Sequence, residues 1–220
     1  MEPSAVQLAA EGFDPADRAA ADLRVLRHEL GAETAEEIRR ASLGTFDPGA
    51  VLAGFERARA SLVPERARRL IPWLASLVQA SEFVPRMLAT REGLLEWVGG
   101  SRTLDRPKPR ESYLRGARGA VRHVAPGDVD GLYRRLRRFK YRELLRIMVR
   151  AVCLGAPAEE IGQEQSWLAD ALVDAALWGV ERELNARYGV PNGSSDAEAS
   201  RSGFAVVGLG KLGGEDLNFS

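Results

Sequence analysis

The sequence predicts a mainly α-helical chain that leads, at its end, into the first strand and glycine loop of an α/β unit. Three observations predict it. Apolar residues recur at helical spacing through nearly all of residues 14–188, and start and stop residues punctuate that pattern. The composition then changes abruptly, from the polar stretch VPNGSSDAEASRSG to the apolar run FAVVGLG. The expected division is a helical region over 1–189, a linker over 190–203 and the α/β start over 204–220.

The elements follow in order. DPADRAAADLRVLRHEL offers Asp14 as an N-cap and Pro15 at the first helical position, with Leu23, Leu26 and Leu30 on one face. Gly31 supplies a stop. Phe46-Asp47-Pro48 repeats the start signal before GAVLAGFERARASL. Pro64 opens ERARRLIPWLASLVQASEF, where Pro72 inside an apolar run predicts a kink or break. REGLLEWV reads as a short helix ending at Gly99-Gly100. RPKPRES reads as a turn or exposed loop, and residues 112–125 as one more helix, weakened by Gly116 and Gly119.

The most informative helical text is LYRRLRRFKYRELLRIMVRAVCLG. Tyr141, Leu144, Leu145, Met148 and Val152 form its expected buried face. Arg134, Arg138, Arg142, Arg146 and Arg150 form a second row that drifts slowly around the helix. After a Gly155-Ala156-Pro157 turn comes a mostly acidic helix, with Trp167, Leu168, Leu172, Ala175, Ala176 and Val180 on its apolar face. A basic helix joined to an acidic one predicts an antiparallel hairpin with charge pairs between the two. The arginine row reads first as a solvated face, with contact to a phosphate or an acidic partner as the alternative.

Composition excludes several classes. Lys and Arg total 31 and Asp and Glu 31, so the chain is not a globally basic nucleic-acid binder. A single cysteine, Cys153, excludes an intrachain disulfide and a multi-cysteine metal site, and its apolar setting reads as an inert thiol. His28 and His123 read as ordinary helix-end or surface histidines. No run approaches the ~18–20 apolar residues that span a bilayer. The N-terminus, MEPSAVQLAAEGFD, lacks the basic and apolar regions of a secretory signal, so a cytoplasmic location is expected.

Three readings compete for the terminal loop, GLGKLGGEDLNFS. A Walker A loop needs Ser or Thr after its lysine, and Lys211 is followed by Leu212. A dinucleotide fingerprint, G-x-G-x-x-G, is satisfied by Gly208, Gly210 and Gly213 after a strand. It also needs a helix opening at the loop, and GEDLNFS is a poor helix start.

The third reading is a resemblance. The loop is similar to the motif G-x-G-K-L-G-G-x-E-L-N-[YF]-S-S-D-I-D of the bacterial bifunctional glutamine synthetase adenylyltransferase/adenylyl-removing family. Gly208, Gly210, Lys211, Leu212, Gly213, Gly214, Leu217, Asn218, Phe219 and Ser220 match, whereas Glu215-Asp216 departs mildly. The arginine-rich helix is similar to the family's L-R-I-x-x-R-D segment at Arg146, Ile147 and Arg150, with Ala151 in place of the Asp. Together with the helices from about Leu77, the resemblance covers roughly residues 77–220.

That resemblance implies a nucleotidyltransferase domain of the DNA polymerase β type, beginning at residue 204 and truncated. It places Gly213, Gly214, Lys211 and Ser220 at the nucleotide, with a solvated role open for Lys211, and Arg146 and Arg150 as phosphate or structural residues. It implies Mg²⁺ held by an Asp-x-Asp that would lie beyond Ser220, so no catalytic or metal residue is expected in this chain and the chain alone is expected to be inactive. The implied reaction adds or removes AMP on a tyrosine of glutamine synthetase, with ATP, ADP and phosphate as substrates. The position of the motif implies the N-terminal, phosphorolytic half of a larger protein that regulates nitrogen assimilation, with a PII-type protein as regulatory partner. A dinucleotide-binding protein and a non-catalytic helical interaction module are the alternatives.

Overall fold

The first helix starts on a reciprocal cap. In α1 (Ala5–Ala10), Ser4 Oγ accepts from the Gln7 N–H at 3.3 Å and Gln7 Oε1 accepts from the Ser4 N–H at 2.8 Å. This is a computed structural model, and it describes residues 3–62, 65–91, 93–101, 104–189 and 205–219. The linker expected over 190–203, the residues Pro64, Phe204 and Ser220, and their expected roles lie outside the described residues. The described chain divides into two units, residues 1–105 with 148–155, and residues 106–147 with 156–220. The single helical region expected over 1–189 is therefore built as parts of two units.

The first unit carries α1, α2 (Ala16–Leu30), α3 (Ala32–Leu43), α4 (Pro48–Ala58), a 3₁₀ turn at Arg59–Leu62, α5 (Glu65–Arg68), α6 (Ile71–Ala80), α7 (Phe83–Ala89) and α8 (Leu94–Gly99). Asp14 does not cap α2. Pro15 occupies that position in extended conformation (ψ 133°), without a side-chain cap bond, and the helix starts at Ala16. Asp47 caps α4 as expected, its Oδ1 accepting from the Ala50 N–H at 2.9 Å ahead of Pro48. The break expected at Pro72 is present. α5 stops at Arg68 and α6 restarts at Ile71 with the proline in its first turn, where its missing N–H interrupts nothing. α4 is the core of this unit, packing on α2, α3, α6 and α7 with Val51, Leu52, Phe55 and Ala58 almost fully buried. Burying each of the larger side chains contributes about 1.5–3 kcal/mol.

Glu36 on α3 gives this unit a pH dependence. It accepts from Arg39 Nη2 at 2.7 Å and from Arg40 Nε at 3.0 Å, and the Arg39 hydrogen bond is the main cause that lowers its pKa to about 2. A depressed carboxylate contributes stability that is fully present above its unfolded value, 4.5, and is lost as pH falls through about 2. The expected result is that Glu36→Gln flattens the stability profile between those pH values and costs under about 1 kcal/mol at neutral pH, since the pair is partly exposed. Urea denaturation across that range measures it.

The second unit is built on α9 (Arg110–Val121), α10 (Val129–Cys153) and α11 (Ala158–Tyr188), with a one-turn α12 (Gly210–Gly213) at its end. The residues of α10 from Met148 count with the first unit. A Cβ on Gly179 would stand 2.8 Å from the Leu132 side chain, and the Arg146 guanidinium bonds Glu164. Early α10 thus meets late α11, and the hairpin is antiparallel. Phe139 of α10 lies against Gly116, and Arg146 reaches Tyr113, so α9 and α10 are antiparallel too. Arg110–Asp170 at 2.7 Å and Arg118–Asp174 at 2.5 Å run along the parallel pair α9 and α11. Up, down, up: the unit is a three-helix bundle.

The sequence reading needs two corrections here. On α10, Leu145 and Met148 are buried, but Tyr141 and Leu144 are half-buried and Val152 is exposed. The arginine row is solvated only at its start. Arg134 and Arg138 are exposed, while Arg146 and Arg150 are buried. A four-residue step advances the helix by about 40° beyond a full turn, so four steps carry the row roughly 160° around, from solvent into the core.

Cys153 is half-buried, its Sγ 3.5 Å from the Trp73 carbonyl, with burial pushing the thiol up to about 11, consistent with an inert thiol. Residues 205–209 are exposed and form no strand ladder, in contrast to the strand expected there. A strand needs a neighbour to take its N–H and C=O groups, and no strand occurs among the described residues. Among the described residues, no helix is long and apolar enough to cross a membrane.

Candidate functional site

The terminal loop closes on itself. After α12, Glu215 N–H donates to the Leu212 carbonyl at 3.2 Å and Asp216 N–H to the Lys211 carbonyl at 2.8 Å. These are the paired bonds of a Schellman stop, which turns on a left-handed residue usually supplied by glycine. Here Glu215 takes that place at φ +55°, and the loop holds it there.

The two adjacent glycines differ in what they permit. A Cβ on Gly213 would stand 2.5 Å from the Gly208 carbonyl oxygen, so Gly213 is required by the loop's own closure. A Cβ on Gly214 would lie 3.5 Å from the Gly210 carbonyl, an ordinary contact, and Gly214 sits at φ −87° and is exposed. Nothing within the loop requires a glycine there. An absent side chain at an exposed turn lets a ligand approach the backbone closely. Lys211 is exposed on the same turn, and among the described residues its ammonium has no ion pair.

The first turns of α11 carry the loop. A Cβ on Gly162 would come within 3.3 Å of Asp216 Cα, so glycine lets the loop lie close to the helix. One turn on, Ser166 Oγ donates to the Gly162 carbonyl at 2.9 Å and accepts from the Leu217 N–H at 3.4 Å. Between these two positions stands Glu164, fully buried.

Glu164 is the centre of a polar cluster that sequence reading did not identify. Its Oε1 accepts from the Lys108 amide at 2.9 Å, from the Tyr113 hydroxyl at 2.8 Å and from the Arg146 guanidinium. Arg146 also donates to Glu143 at 3.2 Å and to the Tyr113 oxygen, and Lys108 Nζ pairs with Glu143. Two cations face two carboxylates, so the buried charge balances. Burial raises the Tyr113 pKa well above its ordinary value, partly opposed by Arg146, so the phenol stays protonated and donates. For Arg146, desolvation acts to lower the pKa, but Tyr113 and the two carboxylates outweigh it and the net direction is upward. The guanidinium stays charged. The sequence signal was present in the i, i+3 pair Glu143–Arg146, but Glu164 joins only across the hairpin turn.

Of the expected site residues, the structure brings Lys211, Gly213 and Gly214 together on one turn and places Arg146 inside the bundle. Arg150 is 3% exposed and counts with the first unit. Among the described residues, no three His, Cys, Asp or Glu side chains come together as a metal site. Those residues do not fit the implied Mg²⁺, and no step is derived through it. The dinucleotide fingerprint fares poorly. It needs a helix that begins at the loop, whereas α12 ends at its third glycine and no helix follows through residue 219.

A family model matches residues 71–220, starting close to where the resemblance was expected to begin. The class it defines is that of nucleotidyltransferases that act on another protein. Its description is glutamate-ammonia ligase adenylyltransferase, and the chain belongs to that family, whose members act on glutamine synthetase.

Proposed function

We propose that residues 208–219 form the phosphate-holding side of a nucleotidyltransferase site, in a protein that removes AMP from a tyrosine of glutamine synthetase. The observation that carries this reading is the contrast at the glycine pair. Gly213 answers to the loop, while Gly214 leaves an exposed backbone open with no internal reason to do so. The N–H groups of Gly213 and Gly214 serve the loop's own bonds, to the Leu209 and Gly210 carbonyls, so phosphate oxygens would lie against the uncovered turn while Lys211 adds a positive charge. The reading includes ATP, ADP and phosphate as substrates, Mg²⁺ held by residues other than those described, a cytoplasmic setting and a PII-type regulatory partner.

In the proposed direction, an oxygen of inorganic phosphate attacks the phosphorus of the tyrosyl–AMP ester. The bond to the tyrosyl oxygen breaks, that oxygen takes up a proton, and ADP is released. The chain's contribution is positional, since preorganised donors lower the barrier by meeting charge where it develops. Arg146 takes no direct part, because its donors are committed to Glu164, Glu143 and Tyr113.

The test is the native protein mixed with adenylylated glutamine synthetase and inorganic phosphate, without ATP. Phosphate-dependent formation of ADP is expected. Adenylyl groups gained from ATP, with no ADP formed from phosphate, would assign the opposite direction.

A further inference from the structure

α10 carries arginines that its acidic neighbour does not neutralise. Three carboxylates of α11 are engaged elsewhere: Asp170 by Arg110 and Asp174 by Arg118, both from α9, and Glu164 by Arg146. Further up α10, Arg135 and Arg138 have no carboxylate within ion-pair distance among the described residues. With Arg142 they fall within about 60° of arc on the helix, one basic stripe. These three guanidiniums and the Phe139 ring, facing Ala120 of α9, line a pocket of about 270 Å³.

No acidic side chain lines that pocket. The carboxylate that Arg142 does feel, Glu143, is held by Lys108 and Arg146. Burial and then the charge of Arg138 lower the Arg142 pKa, partly opposed by Glu143, a direction that matches guanidiniums crowded together. Neighbouring guanidiniums repel one another, and a bound oxyanion relieves that repulsion while accepting forked N–H donors. The volume lies below the ~300–1,000 Å³ of ordinary organic-ligand sites, so it suits a small anion better than a whole cofactor. The Phe139 ring offers a flat apolar wall, but among the lining residues every charged group is cationic.

We propose that Arg135, Arg138 and Arg142 form an oxyanion pocket that binds a phosphate group, either as free inorganic phosphate or as the terminal phosphate of a nucleotide. No residue of the glycine loop lines it, so the pocket stands whether or not the loop serves nucleotidyl transfer.

Titration calorimetry of the 220-residue chain with inorganic phosphate, and separately with ADP and ATP, tests it. NMR of the arginine Nε–H groups places the bound ion. Phosphate is expected to bind at millimolar concentration or tighter, shift the Arg138 signal, and weaken at least tenfold in an Arg135→Gln/Arg138→Gln double variant. Arg134→Gln, outside the pocket and paired loosely with Asp128 at 3.9 Å, is expected to leave that affinity unchanged. Tighter binding of ADP or ATP than of phosphate, lost in the same double variant, assigns the nucleotide as the source. Equal or weaker binding assigns free phosphate. The proposal is overturned if no anion binds the correctly folded chain, if the double variant binds as tightly as the native one, or if only an acidic protein surface such as glutamine synthetase is bound.

Discussion

Replacing Glu164 with alanine is expected to destabilise the bundle of α9, α10 and α11 by about 3–5 kcal/mol, the usual cost of removing one partner from a buried ion pair. The carboxylate is fully buried, and one of its oxygens satisfies three donors from three places in the chain: the Lys108 amide, the Tyr113 hydroxyl and the Arg146 guanidinium. Its loss leaves Arg146, itself 0% exposed, with Glu143, which Lys108 already shares. That is an uncompensated buried charge. Denaturation followed through Trp167 and Trp178 of α11 reads the effect. A loss under about 1 kcal/mol would mean that water reaches the cluster and screens it. An Arg146→Met/Glu164→Leu double variant is expected to recover most of the loss, because removing both charges removes the desolvation cost.

The same substitution is expected to loosen the glycine loop. Glu164 lies between Gly162 and Ser166, the two positions on which residues 215–217 rest. Hydrogen exchange at the Leu217 amide is expected to accelerate in Glu164→Ala, in step with the α11 amides.

The second large effect separates the two glycines. Gly213→Ala is expected to break the loop itself, because its Cβ would press on the Gly208 carbonyl at 2.5 Å and backbone must move. Gly214→Ala leaves the loop closed, since its Cβ meets only an ordinary contact. If phosphates approach there, it should still lower transfer on glutamine synthetase by about 10²-fold, the scale of a reacting group displaced by about 1 Å, because the added methyl occupies the space the phosphate would take. The two variants then look alike in activity and different in structure. Protection of the Leu217 amide is lost in the first and kept in the second.

Where one local rule decided the conformation, the sequence was readable. Asp47-Pro48 started α4, Pro72 forced a restart, and Gly155-Ala156-Pro157 turned the hairpin. α1 is absent from the elements expected from the sequence, although Ser4 and Gln7 spell its capping box, because only six residues follow the cap and they carry no long apolar stripe. The arginine row was misread because a row is not a face. Its drift is set by helix geometry, but where it enters the core depends on α9 and α11. Charge pairing between α10 and α11 was expected and occurs at Arg146–Glu164, but buried rather than on the surface, while Asp170 and Asp174 turn to α9 instead. The glycine loop was legible as a tight glycine-rich turn, but its division into a structural and an exposed glycine required the distance to the Gly208 carbonyl.

The most direct measurement is the adenylyl content of glutamine synthetase incubated with the native protein and with its Gly214→Ala variant, both shown to be folded. The prediction is a change catalysed by the native protein and about 10²-fold slower in the variant, with Leu217 equally protected in both. Equal rates would contradict the account, since the loop would then hold no phosphate at Gly214.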